Sequence, residues 1–171
     1  QGTYLHGPRV AAFENEFADY LGAGNCVAVG NGTDALEFAL AAVGFGHGDR
    51  IATVANAGHY GTAAILAVGA LPIYIDIDAH SWQMDPAALA RALPEGLGGV
   101  LLTHLYGDAR MSTRIARLCA DAGVPMVEDC AQAAGAFVDG VAAGRCGAAA
   151  AFSFYPTKNL AAIGDAGAVV S

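Results

Sequence analysis

Lys158 is a lone lysine in a 171-residue sequence with only eight Lys and Arg residues in all. It follows an apolar run, residues 148–154, that predicts a buried strand, and a glycine-rich run, residues 164–167, comes soon after. Desolvation near a buried strand favours an uncharged amine, which can attack a carbonyl carbon and form a Schiff base. The alternative is a surface lysine in a loop, because lysines are mostly exposed.

A second polar motif, residues 29–34, lies between an apolar strand and a helical pattern that starts at Ala35. Backbone N–H groups at a helix N-terminus attract phosphate, and the Thr33 hydroxyl is a further donor. The alternative is an ordinary helix cap formed by Thr33 or Asp34. The motif is neither a Walker A sequence nor a Gly-x-Gly-x-x-Gly fingerprint.

A third motif, residues 127–132, ends an apolar strand in carboxylates. Asp129 could hold a protonated ring nitrogen and keep a pyridine ring electron-withdrawing, and Gln132 could donate a hydrogen bond to a ring oxygen. Helix capping by Asp129 is the alternative. His59 or Tyr60 could stack on a planar cofactor after the second strand, although a core tyrosine and a surface histidine explain the same two residues. Together, the phosphate cradle, the ring partner and the Schiff-base lysine describe a pyridoxal phosphate site.

Apolar strands alternate with helices of about ten residues along the whole chain. This alternation predicts an α/β fold, a three-layer sandwich with a mainly parallel sheet between two layers of helices. Ligands of such sheets bind outside the carboxyl ends of the strands, where the three motifs fall. Residues 51–75 contain no Asp, Glu, Lys or Arg, but Asn56, His59 and Pro72 interrupt them. We therefore expect a strand, a helix and a strand there, and no membrane span.

The composition narrows the possible partners and the cellular compartment. The formal net charge is -8, and an acidic chain with little lysine is a poor candidate for binding nucleic acid or an anionic membrane. The four cysteines are scattered and form no Cys-x-x-Cys pair, which favours free thiols over disulfides or a metal site. No signal peptide is visible, so we expect a cytoplasmic protein.

The sequence resembles the DegT-type family of pyridoxal phosphate-dependent nucleotide-sugar aminotransferases, from end to end. The two most specific matches, in combination, are residues 128–132 and residues 152–160. The other matching segments are residues 7–8, 13–14, 31–36, 48–49, 68–70, 76–78 and 104–107. The resemblance implies the fold type I large domain of pyridoxal phosphate-dependent transferases, for which the alternating pattern gives independent support.

The resemblance also implies a role for each site residue. Lys158 would form the Schiff base and move the proton between substrate and cofactor, while Asp129 and Gln132 would contact the ring nitrogen and the phenolic oxygen. The implied phosphate ligands are Gly32, Thr33 and Ser153, with help from the backbone of Asp34. Tyr60 would stack on the ring, with His59 as second choice. No metal is implied.

Four residues, at three places in the chain, depart from the family pattern. Ala134 replaces a larger polar residue, Ala148 an acidic one, and Ala161-Ala162 a more glycine-rich pair. These changes leave the cofactor residues intact. Family members are about twice this length and act as homodimers with shared active sites. We therefore expect residues 1–171 to be an N-terminal segment and an incomplete cofactor-binding large domain, without the C-terminal small domain.

The resemblance implies a reaction that moves an amino group from glutamate or glutamine to a keto group of a nucleotide-linked deoxysugar, with dTDP as the expected nucleotide. A cyclitol or an aminobenzoate precursor is an alternative substrate. The non-enzyme alternative is a fragment or degenerate cofactor-binding or interaction module without activity. A sugar dehydratase of the same family is disfavoured, because such members replace the lysine with histidine.

Overall fold

The computed structural model describes residues 6–171, so the first five residues of the predicted N-terminal segment lie outside the description. These residues form five α-helices and nine strands, which alternate as far as the fifth strand, and the last four strands follow without an α-helix between them. The helices are α1 (Pro8–Leu21), α2 (Gly32–Val43), α3 (Tyr60–Ala67), α4 (Pro86–Ala92) and α5 (Ser112–Ala122). The strands are β1 (Cys26–Val29), β2 (Arg50–Thr53), β3 (Leu71–Tyr74), β4 (Gly99–Thr103), β5 (Met126–Asp129), β6 (Phe137–Val138), β7 (Val141–Ala142), β8 (Ala149–Ser153) and β9 (Gly167–Val170).

Seven of the strands form one sheet, in the order β1-β9-β8-β5-β4-β2-β3. Neighbouring strands from β8 to β3 are parallel, whereas β9 pairs antiparallel with both β8 and β1. Strands β6 and β7 form a separate hairpin. The mainly parallel α/β sheet predicted from the alternating pattern is thus confirmed.

The two faces of the sheet are covered by different helices. Side chains alternate between the faces of a strand, and on β5 Val127 packs in a cluster with α2 and α3, whereas Met126 packs with α4 and α5. Toward the other edge, Phe152 of β8 packs with Phe17 of α1, ring edge against ring face. Helices therefore lie on both faces, and successive residues at a strand end point to opposite layers.

The start of α2 differs from the predicted start at Ala35. Asn31, in extended backbone, caps the helix through its side-chain oxygen, which accepts the N–H groups of Thr33 and Asp34 at 2.9 Å. The suggested cap by Thr33 or Asp34 is therefore wrong, because Asn31 already satisfies these two amides and Gly32 joins the first turn.

None of the helices in residues 6–171 is long and apolar enough to cross a membrane. The uncharged run of residues 51–75 forms most of β2, the helix α3 and the strand β3, as its interruptions predicted. Residues 137–142, where the sequence pattern is weak, contain the β6–β7 hairpin, whose two-residue strands are too short for a periodic signal.

Candidate active site

A cavity of about 840 Å³ opens at the carboxyl ends of β4, β5 and β8, beside the N-terminus of α2. Its lining includes eight residues that the sequence singled out for cofactor binding or catalysis: Gly32, Thr33, Asp34, Tyr60, Asp129, Gln132, Ser153 and Lys158. The parallel strands bring these residues together, because their carboxyl ends meet at one edge of the sheet. Three motifs that are spread over more than a hundred residues of chain thus share one cavity.

Asp129 ends β5 on the face of the sheet that α2 and α3 cover. Its Oδ1 accepts the Ala131 N–H at 3.1 Å, and its Oδ2 accepts the Thr103 hydroxyl at 3.2 Å. Burial raises the pKa of Asp129, and the Ala131 N–H, His104, Thr103 and Lys158 lower this pKa only in part. A buried carboxylate of this kind is stabilised by a cation placed in the cavity.

Gln132 lies one turn beyond β5 and is tied to the loop that follows β4. Its Oε1 accepts the Tyr106 N–H at 2.6 Å, which fixes the side-chain amide and leaves its NH₂ group as the donor. Tyr106 has left-handed backbone, with φ 59°, and Gly107 follows at φ 78°. A Cβ on Gly107 would lie 2.9 Å from the Gln132 carbonyl oxygen, so only glycine fits this turn.

The N-terminus of α2 packs directly on Ser153. A Cβ on Gly32 would lie 2.5 Å from Ser153 Cβ and 2.9 Å from Ser153 Oγ, so the glycine permits this close approach. The Thr33 and Asp34 amides already bond Asn31, which means that an anion here would share or displace that cap. Backbone amides, two hydroxyls and the positive end of a helix nevertheless fit a phosphate group.

Lys158 is half-buried in the loop between β8 and β9. Its backbone N–H donates to the Tyr155 carbonyl at 2.8 Å, which closes a tight turn. The adjacent Asn159 side chain donates to the Ala134 carbonyl in the loop after β5. The lysine is therefore held at the cavity by two strand ends and is not on a free surface loop.

Tyr60 lines the cavity at the start of α3, whereas His59 is absent from the lining. The two rings stack on each other with centroids 4.6 Å apart and planes inclined by 27°. This placement favours Tyr60 over His59 as the side chain that can cover a planar ring.

Residues 1–171 match the DegT/DnrJ/EryC1/StrS aminotransferase family. The chain belongs to this family. It is 42% identical over 170 residues to the dTDP-3-amino-3,4,6-trideoxy-alpha-D-glucose transaminase of Micromonospora megalomicea subsp. nigra. The aligned region covers 99% of this chain and 46% of that protein.

Two solved structures show the same fold. S. venezuelae DesV in complex with a ketimine intermediate is 37% identical, with a TM-score of 0.95 over 100% of this chain and 46% of that chain. NtdA from Bacillus subtilis with bound cofactor PMP is 30% identical, with a TM-score of 0.87 over 96% of this chain and 37% of that chain. This DegT-family chain therefore has the predicted fold type I architecture, and it spans less than half the length of the relatives that it matches.

Three further residues that line the cavity of this aminotransferase-family chain had no predicted role: Thr103, Tyr106 and Asp165. Thr103 was missed because it lies beside Asp129 only through the pairing of β4 with β5. Asp165 lies in the glycine-rich run after Lys158, which could have drawn attention to it. Among the described lining residues, Lys158 is the one basic side chain, and Asp34, Asp129 and Asp165 are the acidic ones.

Glu128, which the sequence placed in the same motif as Asp129, lies on the opposite face of the sheet and is fully buried. Its Oε2 lies 2.7 Å from His104 Nε2 and accepts the Gly144 N–H at 3.1 Å, while its Oε1 accepts the N–H groups of Cys146 and Gly147 at 2.7 Å. Glu128 thus ties β5 to β4 and to the loop before β8 without reaching the cavity.

Proposed function

We propose that this chain is the N-terminal, cofactor-binding large domain of a pyridoxal phosphate-dependent aminotransferase. The enzyme would transfer an amino group from glutamate or glutamine to a keto group of a dTDP-linked deoxysugar. The observation that carries the proposal is the common cavity lined by Lys158, Asp129, Gln132, Ser153 and the N-terminus of α2. Family membership supports it, as do the names of the transaminase relative and of NtdA with PMP.

Pyridoxal phosphate, when bound, supplies an electron-withdrawing ring that stabilises negative charge developing on the substrate carbon. Asp129 would hold the ring nitrogen protonated, because an ionised carboxylate in this buried position gains most from a cationic partner. The NH₂ group of Gln132, oriented by the Tyr106 N–H, would donate to the phenolic oxygen. Tyr60 would cover one face of the ring.

The phosphate group would be held where α2 meets Ser153. Gly32 contributes close backbone approach, Thr33 and Ser153 contribute hydroxyls, and the amide of Asp34 contributes if the Asn31 cap shifts. The helix dipole of α2 favours the negative charge. These contacts would fix one end of the cofactor and so determine where its reactive carbon lies relative to Lys158.

Lys158 would hold the cofactor through its Nζ and would take and return a proton at that atom in both half-reactions. The substrates would enter from the open side of the cavity, past the exposed side chains of Tyr106 and Tyr155. Since the cavity supplies a single cation in the described residues, we propose that the whole enzyme is a homodimer whose second subunit completes the site. The free cysteines agree with a reducing cytoplasm.

The test uses the full-length enzyme, its Lys158→Ala variant, and Arg91→Ala as a control that removes an exposed cation from α4. We expect wild type and Arg91→Ala to develop a visible absorbance band with pyridoxal phosphate that borohydride reduces, and Lys158→Ala to lose both band and amino transfer. Persistence of the same reducible band in Lys158→Ala would contradict the assignment of Lys158.

The substrate part of the proposal needs a separate assay. Keto sugars linked to dTDP or to UDP and cyclitol or aminobenzoate-type ketones would be offered with glutamate or glutamine as donor. Preferential amination of a dTDP-linked keto sugar supports the proposal. Turnover of cyclitol-type ketones alone would favour the second substrate class, and cofactor binding without any turnover would favour a binding module.

A further inference from the structure

Thr103 is the last residue of β4 and lies beside Asp129 in the register of the two parallel strands. Both side chains are buried, and both face the cavity. The Thr103 hydroxyl donates to Asp129 Oδ2 at 3.2 Å, and this is the only side-chain hydrogen bond of Thr103 in residues 6–171. The hydroxyl therefore has a single partner, and that partner is the carboxylate proposed to face the ring nitrogen.

The two oxygens of Asp129 are held from two directions. Ala131, in the loop after β5, holds Oδ1, and Thr103, on the neighbouring strand, holds Oδ2. A carboxylate gripped at both oxygens cannot rotate freely about its Cβ–Cγ bond, so it presents one edge to the cavity. Because a hydroxyl that donates to an ionised carboxylate favours the ionised form, Thr103 also helps to keep Asp129 charged against the effect of burial.

We propose that Thr103 is a positioning residue, which fixes the orientation and charge of the Asp129 carboxylate so that it pairs with the protonated ring nitrogen of the cofactor. The inference rests on the proposed function, because it needs a pyridine ring in the cavity. In this proposal Thr103 acts through Asp129, to which its hydroxyl donates.

The experiment uses the full-length enzyme and three variants. Thr103→Val removes the hydroxyl at nearly constant shape, and Thr103→Ser keeps it. Thr53→Val is the matched control, because it also replaces a buried threonine by valine. Thr53 is the last residue of the adjacent strand β2 and lies outside the cavity lining. If Thr103→Val fails to fold, Thr103→Ala replaces it in the comparison with Thr103→Ser.

Two quantities are measured, neither of which is activity. The first is the dissociation constant of pyridoxamine phosphate, which cannot attach covalently to a lysine. We expect binding about tenfold weaker in Thr103→Val, since a hydrogen bond to a charged group is worth at least that factor, and about unchanged binding in the other two variants. The second is the titration midpoint of Asp129 in the cofactor-free enzyme, followed by carboxyl ¹³C NMR and assigned with Asp129→Asn. The midpoint should lie at higher pH in Thr103→Val alone.

Unchanged affinity in Thr103→Val would overturn the inference, and so would an unchanged midpoint, because a merely structural threonine moves only stability. Failure of the wild-type enzyme to bind pyridoxamine phosphate is a different result. It would overturn the proposed function and, with it, the role of Thr103 toward the ring, although the NMR titration would still report its effect on Asp129.

Discussion

Glu128 and Asp129 are adjacent residues at the end of β5, and their carboxylates differ in how many hydrogen bonds the protein donates to them. Glu128 accepts three backbone N–H groups and lies against His104, so that all its lone pairs have partners from the protein. Asp129 accepts only one N–H and one hydroxyl and faces the cavity. The alternation of side chains across a strand produces this separation within two residues.

The pKa shifts of the two carboxyl groups follow from these surroundings. Burial raises the pKa of Glu128, but the hydrogen bond and charge of His104 and the Gly144 and Gly147 N–H groups outweigh burial, and the net pKa is lowered. For Asp129 burial dominates, and the pKa is raised. One carboxylate is therefore satisfied by the fold itself, and the other becomes satisfied when a cation enters the cavity.

This contrast also explains why a compact group of possible metal ligands near β5 is best described as structural. The ligand atoms of His104, Glu128 and Cys130 lie within 4.8 Å of one another. The Glu128 oxygens, however, are already occupied by N–H donors, and burial and the nearby acidic groups raise the pKa of the Cys130 thiol well above its usual value. Glu128 and His104 therefore form a hydrogen-bonded pair behind the site.

The largest effect is expected from Glu128→Gln. The substituted amide has one acceptor oxygen, so its NH₂ group must face at least one backbone N–H of Gly144, Cys146 or Gly147. We expect the free energy of unfolding to fall by about 3 kcal/mol, since removing one member of a buried charged pair costs about 3–5 kcal/mol. Chemical denaturation of the full-length protein measures the change.

The matched control for this experiment is Asp108→Asn, which removes a carboxylate from the ion pair with the exposed Arg110 side chain. Such a surface pair contributes little, so its loss should change stability by less than about 1 kcal/mol. Equal losses in Asp108→Asn and Glu128→Gln would contradict the structural role given to Glu128.

The equivalent change at the next residue, Asp129→Asn, should lower the rate of amino transfer and leave stability nearly unchanged. The Asp129 carboxylate accepts only two hydrogen bonds from the protein, so the stability of the cofactor-free enzyme should change by less than about 1 kcal/mol. The rate of amino transfer should fall by about 10²–10³, as expected for loss of a preorganised charge at a reacting group. Steady-state kinetics and denaturation, both on the full-length enzyme, separate the two quantities.

A wild-type kcat in Asp129→Asn would contradict the role proposed for Asp129 in the reaction. A variant with normal cofactor binding but a stability loss as large as that of Glu128→Gln would show instead that both carboxylates serve the fold.

Much of this arrangement was predictable from the sequence, because it depends on local patterns. Apolar strands alternating with helices predicted the sheet, and motifs at strand ends predicted which residues meet. The alternating directions of Glu128 and Asp129 also follow from strand geometry. Which of the two faces the cavity does not, because that depends on how β5 packs between the α2–α3 layer and the α4–α5 layer.

The remaining features depend on contacts between distant parts of the chain. Thr103 becomes relevant only through the β4–β5 register, and the donors to Glu128 come from residues 16 to 24 positions away. The predicted cap of α2 was wrong for a local reason, because Asn31 already accepts the N–H groups of Thr33 and Asp34.

The smallest expected effect is a difference in pH dependence between the two carboxylates, measured on the cofactor-free full-length enzyme. The lowered pKa of Glu128 contributes stability that is complete above its ordinary value of 4.5 and is lost as pH falls through the folded-state pKa. The raised pKa of Asp129 has the opposite sign: its penalty is absent below the ordinary value of 3.8 and develops as pH rises through the folded-state pKa.

Urea denaturation from about pH 3.5 to pH 7 should therefore give difference curves of opposite slope, each at most about 1.4 kcal/mol per pH unit. Relative to Glu128→Gln, the wild type should lose its advantage toward acid pH. Relative to Asp129→Asn, it should lose stability toward neutral pH. Lys158, which also acts on Asp129, is common to all three proteins. His104 acts on both carboxyl groups, so the Glu128→Gln difference curve reports the Glu128–His104 pair. Parallel slopes would mean that the two carboxylates experience the same environment, and the distinction between a structural and a cofactor-facing group would then fail.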